Sequence, residues 1–119
     1  KGVEKMALIT DSLAYAACNG EVTCEPRVIL EDGVCKLADH SALAGSIATM
    51  DTLIRTSILK AEIPMIDVFR MASETPAKIM GVFDRKGSIE EGKDADIVIF
   101  DNQINVTTTI SKGHVIYNQ

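Results

Sequence analysis

The chain has 119 residues, of which 46% are hydrophobic, so it can form one modest domain or contribute part of a larger one. Its 12 basic and 17 acidic residues give a net charge of −5, which argues against nucleic-acid and anionic-membrane partners. No apolar run approaches the ~18 residues of a membrane span, and the first residues do not lead into a secretory signal. We therefore expect a cytoplasmic protein with no nucleic-acid and no membrane partner.

Three cysteines, Cys18, Cys24 and Cys35, lack the close pairing of zinc clusters and are odd in number. Both features fit a reducing compartment, so we expect free thiols, with a disulfide as the minor alternative. A cysteine metal site is expected even less.

The first half of the chain is predicted to begin with a strand and continue with a hairpin. The apolar run of residues 6–10 is typical of a strand buried on both faces of a parallel sheet, and it ends at Asp11. Because this run follows almost directly on Lys1, which is not an initiator Met, we expect the chain to be a fragment. Residues 28–30 and 34–37 flank a turn and predict a hairpin.

The middle of the chain has helical periodicity. Apolar residues recur at spacings of three and four over residues 47–58, which predicts an amphipathic helix. Pro64 suits the first turn of a second helix. Thr75 followed by Pro76 is typical of a cap and a first turn, and Gly81 predicts the end of that short helix.

The last part of the chain is predicted to form short strands. Residues 95–100 are typical of a strand, and residues 106–110 and 115–117 predict a hairpin around Lys112 and Gly113. A buried parallel strand at the start needs neighbours joined by crossovers, which this order of elements lacks. The sequence therefore predicts an α+β chain in which the end of one architecture is joined to part of another.

Asp11 is the first candidate for chemistry. It follows an apolar strand-like run, and α/β barrels place catalytic groups at the carboxyl ends of their strands. A carboxylate there can bind a metal, act as a general base, cap a turn or face solvent. Position alone favours the non-catalytic interpretations.

The loop of residues 43–46, Leu-Ala-Gly-Ser, is the second candidate. Gly45 permits a close approach of another backbone, and Ser46 lies where it can cap the following helix. Free amides at such a point attract an anion or a polar ligand group. Local sequence by itself favours an ordinary helix cap.

The two histidines do not suggest a metal centre. His114 lies beside a predicted hairpin turn and should be exposed, whereas His40 lies near the 43–46 loop and can approach a ligand. The sequence has no His-x-His or His-Glu-x-x-His spacing, so we predict no three-ligand catalytic metal site within this chain. The glycine-containing stretch 87–96 lacks the residue order of a phosphate loop.

Five stretches of the chain resemble a known family. Residues 75–81, 86–89 and 91–98 resemble the closing part of the amidohydrolase superfamily, in which a metal-dependent (β/α)8 barrel passes into a small β-sandwich. Residues 8–12, Leu-Ile-Thr-Asp-Ser, resemble the last barrel strand of the N-acetylglucosamine-6-phosphate deacetylases. Residues 43–50 resemble their Leu-Ala-Gly-Ser loop and the helix that follows.

This resemblance implies a fold class and a domain division. The chain would be an α+β fragment, with the last strand and helices of a metal-dependent (β/α)8 barrel joined to part of a small β-sandwich. Residues 1–81 would be the C-terminal end of the barrel, comprising its last strand, a hairpin and helices. Residues 82–119 would supply strands of the partial β-sandwich.

The resemblance also implies an activity: hydrolysis of N-acetylglucosamine 6-phosphate to glucosamine 6-phosphate and acetate. Asp11 would be the catalytic general acid/base, taking a proton from a metal-activated water and returning one to the departing amine. Leu43, Ala44 and Gly45 would line the sugar-phosphate pocket through shape and backbone contact.

The same resemblance implies what the chain lacks. In the family a divalent metal, zinc or iron, is held by a Glu and two His on earlier barrel strands, and one phosphate-gripping residue comes from a neighbouring subunit. A complete barrel needs about 250 residues. We therefore expect no metal ligands in this chain, no activity from the chain alone, and a parent enzyme that is a homo-oligomer, in the family a dimer.

Two alternatives to this interpretation remain. The chain departs from the family pattern at Ser12, where Ala is more usual, and around Cys18 and Cys24, which puts loop details in doubt. One alternative is a fragment of another amidohydrolase, such as a cyclic amidase or a deaminase, although the Leu-Ala-Gly-Ser loop argues against it. The other is a non-catalytic oligomerising module, for which an exposed apolar patch would be the sign.

Overall fold

The computed structural model describes residues 1–16 and 27–119, which form two compact units. The smaller unit consists of Ile9–Thr52, and the larger combines Lys1–Leu8 with Leu53–Gln119. None of the helices in the described ranges is long and apolar enough to cross a membrane.

A two-stranded hairpin forms part of the smaller unit, as predicted. Strands β1 (Val28–Glu31) and β2 (Val34–Leu37) pair antiparallel. Asp32 and Gly33 join them with φ values of 53° and 75°, the left-handed conformations that suit a two-residue turn between twisted strands.

The cysteines are described in part. Cys35 lies on β2, is fully buried and carries a free thiol. Cys18 and Cys24 lie outside the described residues, so the expectation of free thiols at these two positions stays a prediction.

The predicted opening strand does not form. Residues 6–10 pair with no strand among the described residues, and the segment begins instead with a single 3₁₀ turn, Val3–Lys5. A parallel strand needs neighbours to satisfy its backbone, and only one isolated parallel bridge, between Ser12 and Ser46, is present in the described part of the chain. The prediction of a sheet strand over residues 6–10 is therefore wrong for this chain.

Helix α1 (Met50–Leu59) begins three residues later than the apolar periodicity suggests. Thr49 precedes it directly, and its hydroxyl donates to the Asp51 carboxylate. Ser46 lies too far upstream to cap this helix, and its side chain accepts from the Ala48 amide at 2.8 Å instead. The expectation of a Ser46 cap is wrong because the helix begins only at Met50.

A second helical run is continuous where a break was expected. It contains, in order, α2 (Met65–Phe69), a π-helical turn (Arg70–Glu74) and α3 (Thr75–Ile79). Thr75 has helical dihedral angles and is buried, and its hydroxyl donates to the Val3 carbonyl at 2.9 Å rather than capping a new helix. The wider π turn ahead of Pro76 accommodates a residue that has no amide proton and whose ring crowds the preceding turn.

Gly81 ends this run, as predicted. Its φ is 68°, its amide donates to the Lys78 carbonyl at 3.1 Å, and the Val82 amide donates to the Ala77 carbonyl at 2.9 Å. This pair of bonds is a Schellman motif, which satisfies carbonyl groups at the helix end and favours glycine at the left-handed position.

The last strands form one antiparallel sheet in the order β3-β4-β5, and the predicted terminal hairpin is confirmed. The strands are β3 (Ile97–Phe100), β4 (Val106–Ser111) and β5 (His114–Asn118). Lys112 and Gly113 form the β4–β5 turn with φ values of 48° and 79°. His114 is exposed beside this turn, in agreement with its predicted position.

The core of the larger unit contains both helical and sheet residues. Val68 and Met71 are buried on the helical run, and Phe69 stacks on Phe100 of β3 with ring centroids 5.4 Å apart. This unit therefore includes residues from both sides of residue 81. The division into a barrel end at 1–81 and a sandwich at 82–119 stays a prediction.

An acidic pair fixes the loop before β3 to the β4–β5 turn. Asp94 lies 2.9 Å from Arg85 and 3.0 Å from Lys86, while Asp96 pairs with Lys86 and accepts the Lys112 amide at 2.8 Å. The hydrogen bond from Lys86 is the main cause that lowers the pKa of both carboxyls. Both acids are therefore charged near neutral pH and act as structural acceptors.

Candidate active site

The smaller unit brings the two candidate segments together. The Ser46 amide donates to the Asp11 carbonyl at 2.9 Å, and the Leu13 amide donates to the Ser46 carbonyl at 2.8 Å. These two bonds form the parallel bridge between Ser12 and Ser46. Asp11 therefore lies beside the end of the 43–46 loop, although more than thirty residues separate them along the chain.

The other side of the 43–46 loop is attached to the hairpin. The Ala44 amide donates to the Cys35 carbonyl and the Leu37 amide donates to the Ala42 carbonyl, both at 2.9 Å. The loop is thus hydrogen-bonded to β2 on one side and to the Asp11 segment on the other. Because the Ala44 and Ser46 amides are already bonded within the protein, the expectation that they are free to attract an anion is wrong.

Gly45 is required where the loop passes the Asp11 segment. Its φ is 78°, and a Cβ at this position would lie 3.0 Å from Leu13 Cγ and 3.2 Å from the Asp11 carbonyl oxygen. The predicted close approach of two backbones is therefore present. The backbone that approaches Gly45 is that of Asp11.

Asp11 has an unusual backbone conformation, with φ at 50°. Aspartate tolerates this left-handed region better than most residues, but the conformation still persists only where neighbouring contacts stabilise it. The residue is exposed, and Leu43 is 71% exposed, while Ala44 and Gly45 are partly buried. The carboxylate and the loop therefore both remain accessible to a ligand.

His40 faces an acid of the hairpin in the structure. Its Nδ1 lies 3.7 Å from Glu31 Oε2, and it is exposed with a φ of 57°. Glu31 is held mainly by Lys36, 2.8 Å away, whose hydrogen bond is the largest cause that lowers the pKa of this carboxyl, with a smaller contribution from His40. His40 therefore lies beside β1. Its approach to a ligand stays a prediction.

Sequence reasoning missed Ser12 as a contact residue of this site. Its hydroxyl donates to the Ala48 carbonyl, which adds a side-chain bond to the backbone pair at Ser46. The only signal was its position directly after Asp11. A short polar residue there has many possible partners, and the sequence does not distinguish Ala48 from the others.

No metal centre is formed by the described residues alone. Within residues 1–16 and 27–119, no three His, Cys, Asp or Glu side chains come close enough together to hold a metal ion. A carboxylate such as that of Asp11 can accept and donate a proton.

Nearly the whole chain matches a known family. The model of the amidohydrolase family matches residues 2–116. The chain belongs to this family. The N-acetylglucosamine-6-phosphate deacetylase of Bacillus subtilis is 36% identical over 118 residues, which cover 98% of this chain and 30% of that protein.

Solved structures agree with this assignment. A crystal structure of N-acetylglucosamine-6-phosphate deacetylase from Thermotoga maritima matches with a TM-score of 0.86 and 29% identity, covering all of this chain and 33% of that one. A variant of the Mycobacterium smegmatis deacetylase, solved in complex with N-acetyl-D-glucosamine-6-phosphate, matches with a TM-score of 0.83 and 27% identity, covering 98% and 32%.

These matches confirm the resemblance drawn from the motifs. They also confirm that the chain is a mixed helix and strand segment of an amidohydrolase. The chain spans about 30% of the length of the curated relatives it matches. The activity of the relatives belongs to proteins about three times as long.

The close approach at Gly45 gives a testable stability prediction. Replacing Gly45 by Ala places a methyl group against Leu13 and the Asp11 carbonyl, while Gly33→Ala, at a φ of 75°, meets no described atom within 4 Å. Both variants carry the backbone cost, so Gly45→Ala should be the less stable by about 1–3 kcal/mol through overpacking. Urea unfolding of the two variants measures the difference, and equal midpoints would contradict the contact.

Proposed function

We propose that this chain is the C-terminal part of an N-acetylglucosamine-6-phosphate deacetylase and supplies the proton-transferring carboxylate and one wall of the substrate pocket. The observation that carries the proposal is the pair of backbone hydrogen bonds joining Asp11 to Ser46. They hold the proposed catalytic acid beside the proposed substrate loop. The matches to deacetylases along 98% to 100% of the chain support it.

Asp11 acts in this proposal as general acid/base. Its carboxylate takes a proton from the water molecule that attacks the acetamide carbonyl, so that an oxygen–carbon bond forms while the carbonyl π bond opens to a tetrahedral adduct. The protonated carboxyl then gives that proton to the nitrogen as the carbon–nitrogen bond breaks. The carbonyl re-forms, the remaining hydroxyl proton passes to the amine, and acetate and the protonated amino sugar leave while Asp11 returns to its charged form.

Leu43, Ala44 and Gly45 line the sugar-phosphate pocket in this proposal. The exposed Leu43 side chain offers an apolar surface, and Ala44 and Gly45, with little or no side chain, take up little of the pocket volume. The Mycobacterium smegmatis relative, solved with N-acetyl-D-glucosamine-6-phosphate, supports this class of ligand. We infer the same amino-sugar phosphate as the substrate here.

In this proposal the metal ligands of the enzyme lie outside this chain. The amidohydrolase family is generally metal-dependent, and the described residues of this chain do not form a group that fits a metal ion. We propose that a divalent ion, zinc or iron, is held by residues of the longer protein. Asp11 then depends on that protein for activity, and the 119-residue chain alone is inactive.

The proposal extends to architecture and assembly. In the longer protein, where neighbouring strands are present to pair with it, the segment before Asp11 is proposed as the last strand of a (β/α)8 barrel. The helices would complete the barrel end, and the β3-β4-β5 sheet would be part of a β-sandwich. Apolar side chains exposed on this chain, such as Ile9 at 71% and Met80 at 73%, support contact with further protein. We propose a cytoplasmic homodimer as the working enzyme, without nucleic-acid or membrane partners.

Acetate release from N-acetylglucosamine 6-phosphate tests the function. The assay compares the 119-residue chain with the metal-loaded full-length enzyme, meaning the longer protein whose C-terminal part this chain forms, and uses the Bacillus subtilis deacetylase as the positive control. We expect release by the full-length enzyme and none by the chain. Activity of the full-length enzyme on a cyclic amide or a nucleobase instead would overturn the substrate, and activity of the chain alone would overturn the placement of the metal.

A further inference from the structure

A side-chain hydrogen bond joins the residue after Asp11 to the segment after the substrate loop. The Ser12 hydroxyl donates to the Ala48 carbonyl. The amide of the same residue, Ala48, donates to Ser46 Oγ at 2.8 Å. Ala48 is therefore held on both sides, once through Ser12 and once through Ser46.

This bond complements the backbone pair at Ser46. The backbone pair joins the Asp11 carbonyl and the Leu13 amide to Ser46. The Ser12 hydroxyl adds a third point of attachment, two residues further along the partner segment. Three attachments between residues 11–13 and 46–48 define an orientation as well as a distance.

The backbone conformation of Asp11 requires stabilising contacts from neighbouring residues. A φ of 50° is disfavoured for a residue with a side chain, and such a conformation is kept only by its surroundings. Ser12 is the next residue, and its bond to Ala48 fixes the chain directly beyond the left-handed turn. The direction in which the Asp11 side chain leaves the backbone depends on that turn.

We propose that Ser12 is a positioning residue of the deacetylation site, which holds the Asp11 carboxylate in orientation toward the substrate held at residues 43–45. The inference rests on the proposed function and adds a residue to it. Ser12 acts through Asp11 and does not touch the reacting atoms.

The position of Ser12 predicts how the kinetic constants respond. Without its hydroxyl, the Asp11 carboxylate samples orientations from which it does not reach the attacking water, so kcat falls. The substrate loop keeps its bond from Ala44 to Cys35 and its bond from Ser46 to Asp11, so substrate binding is largely retained. We expect kcat to fall about tenfold in Ser12→Ala, with KM changed less than about twofold.

The test measures kcat and KM for acetate release in the metal-loaded full-length enzyme and its variants. Ser12→Ala removes the hydroxyl, and Ser12→Thr keeps it at a position that is exposed in this chain. Ser41→Ala is the matched control, since Ser41 is also exposed in the same unit and its hydroxyl donates to Asp39 at 2.6 Å. Thermal unfolding of each variant separates a local effect from general destabilisation.

The proposal predicts a low kcat with an unchanged KM in Ser12→Ala, recovery in Ser12→Thr, and wild-type values in Ser41→Ala. Unchanged kcat in Ser12→Ala would overturn it. A fall in kcat that Ser12→Thr does not reverse would also overturn it. So would a fall in kcat that correlates, across the three variants, with a fall in the unfolding temperature. Failure of the proposed function is distinguishable, because the unaltered full-length enzyme would then release no acetate, and the positioning role would fall with it.

Discussion

Asp11→Asn in the full-length enzyme is expected to lower kcat for acetate release by about 10²–10⁴-fold, the usual contribution of a general acid/base. The amide is nearly the same size as the carboxylate but does not accept a proton from water near neutral pH. Asparagine also tolerates the left-handed conformation that Asp11 adopts, with its φ of 50°, so the backbone bond to Ser46 should survive. The variant therefore removes the chemistry and keeps the geometry.

Asp32→Asn is the matched control for this prediction. Asp32 lies in the same unit, has a φ of 53° and contacts Lys36 at 3.4 Å on the hairpin, so the same change is made on the same backbone conformation. Steady-state acetate release should be nearly unchanged in this variant. If Asp11→Asn keeps most of its activity, or if the two variants lose activity equally, Asp11 is not the proton-transferring group.

The elements that the sequence predicts well are those set by local turn chemistry. The β1–β2 and β4–β5 hairpins depend on residues with φ near 50–80° at Asp32, Gly33, Lys112 and Gly113, and the helix end depends on Gly81. Each of these signals lies within a few residues of the structure that it specifies. Such a signal is readable without knowledge of the rest of the fold.

The errors occur where a distant contact decides the structure. Residues 6–10 have the composition of a buried strand, yet a strand forms only beside partners that this chain does not supply. Thr75 has the pattern of a cap, yet it donates to Val3, seventy-two residues away along the chain. Local preference is a weak signal when the competing partner lies in another segment.

The candidate site combines both situations. The sequence suggests Asp11 through its place after an apolar run and through the family resemblance. The glycine at position 45 suggests a close approach of another backbone, because it has no side chain. Asp11 and the Gly45 loop are joined by a pair of backbone hydrogen bonds. The two segments lie far apart in the sequence, and no sequence pattern predicts that they meet. Ser12 was missed for the same reason, because its partner Ala48 becomes visible only in the folded chain.

Gly87→Ala is expected to give the largest loss of stability. A Cβ at Gly87 would lie 2.6 Å from the Ala77 Cβ and 3.2 Å from both the Ser73 carbonyl oxygen and a ring carbon of Phe83. Ala77 is buried on α3, and a methyl group attached directly to a helix backbone has no rotation that relieves the contact. The φ of 93° adds a cost of its own for any residue with a side chain.

Gly92→Ala separates these two costs. Gly92 has a φ of 87°, and no atom of the described chain lies within 4 Å of the position of its Cβ, so this variant carries the backbone cost alone, about 1–2 kcal/mol. Gly87→Ala adds overpacking against α3, about 1–3 kcal/mol, for a total of about 2–5 kcal/mol. Native proteins are stable by about 5–15 kcal/mol, so this loss is large enough to leave part of the population unfolded. Urea unfolding followed by far-ultraviolet circular dichroism measures both variants, and equal midpoints would mean that the loop at Gly87 does not pack on α3.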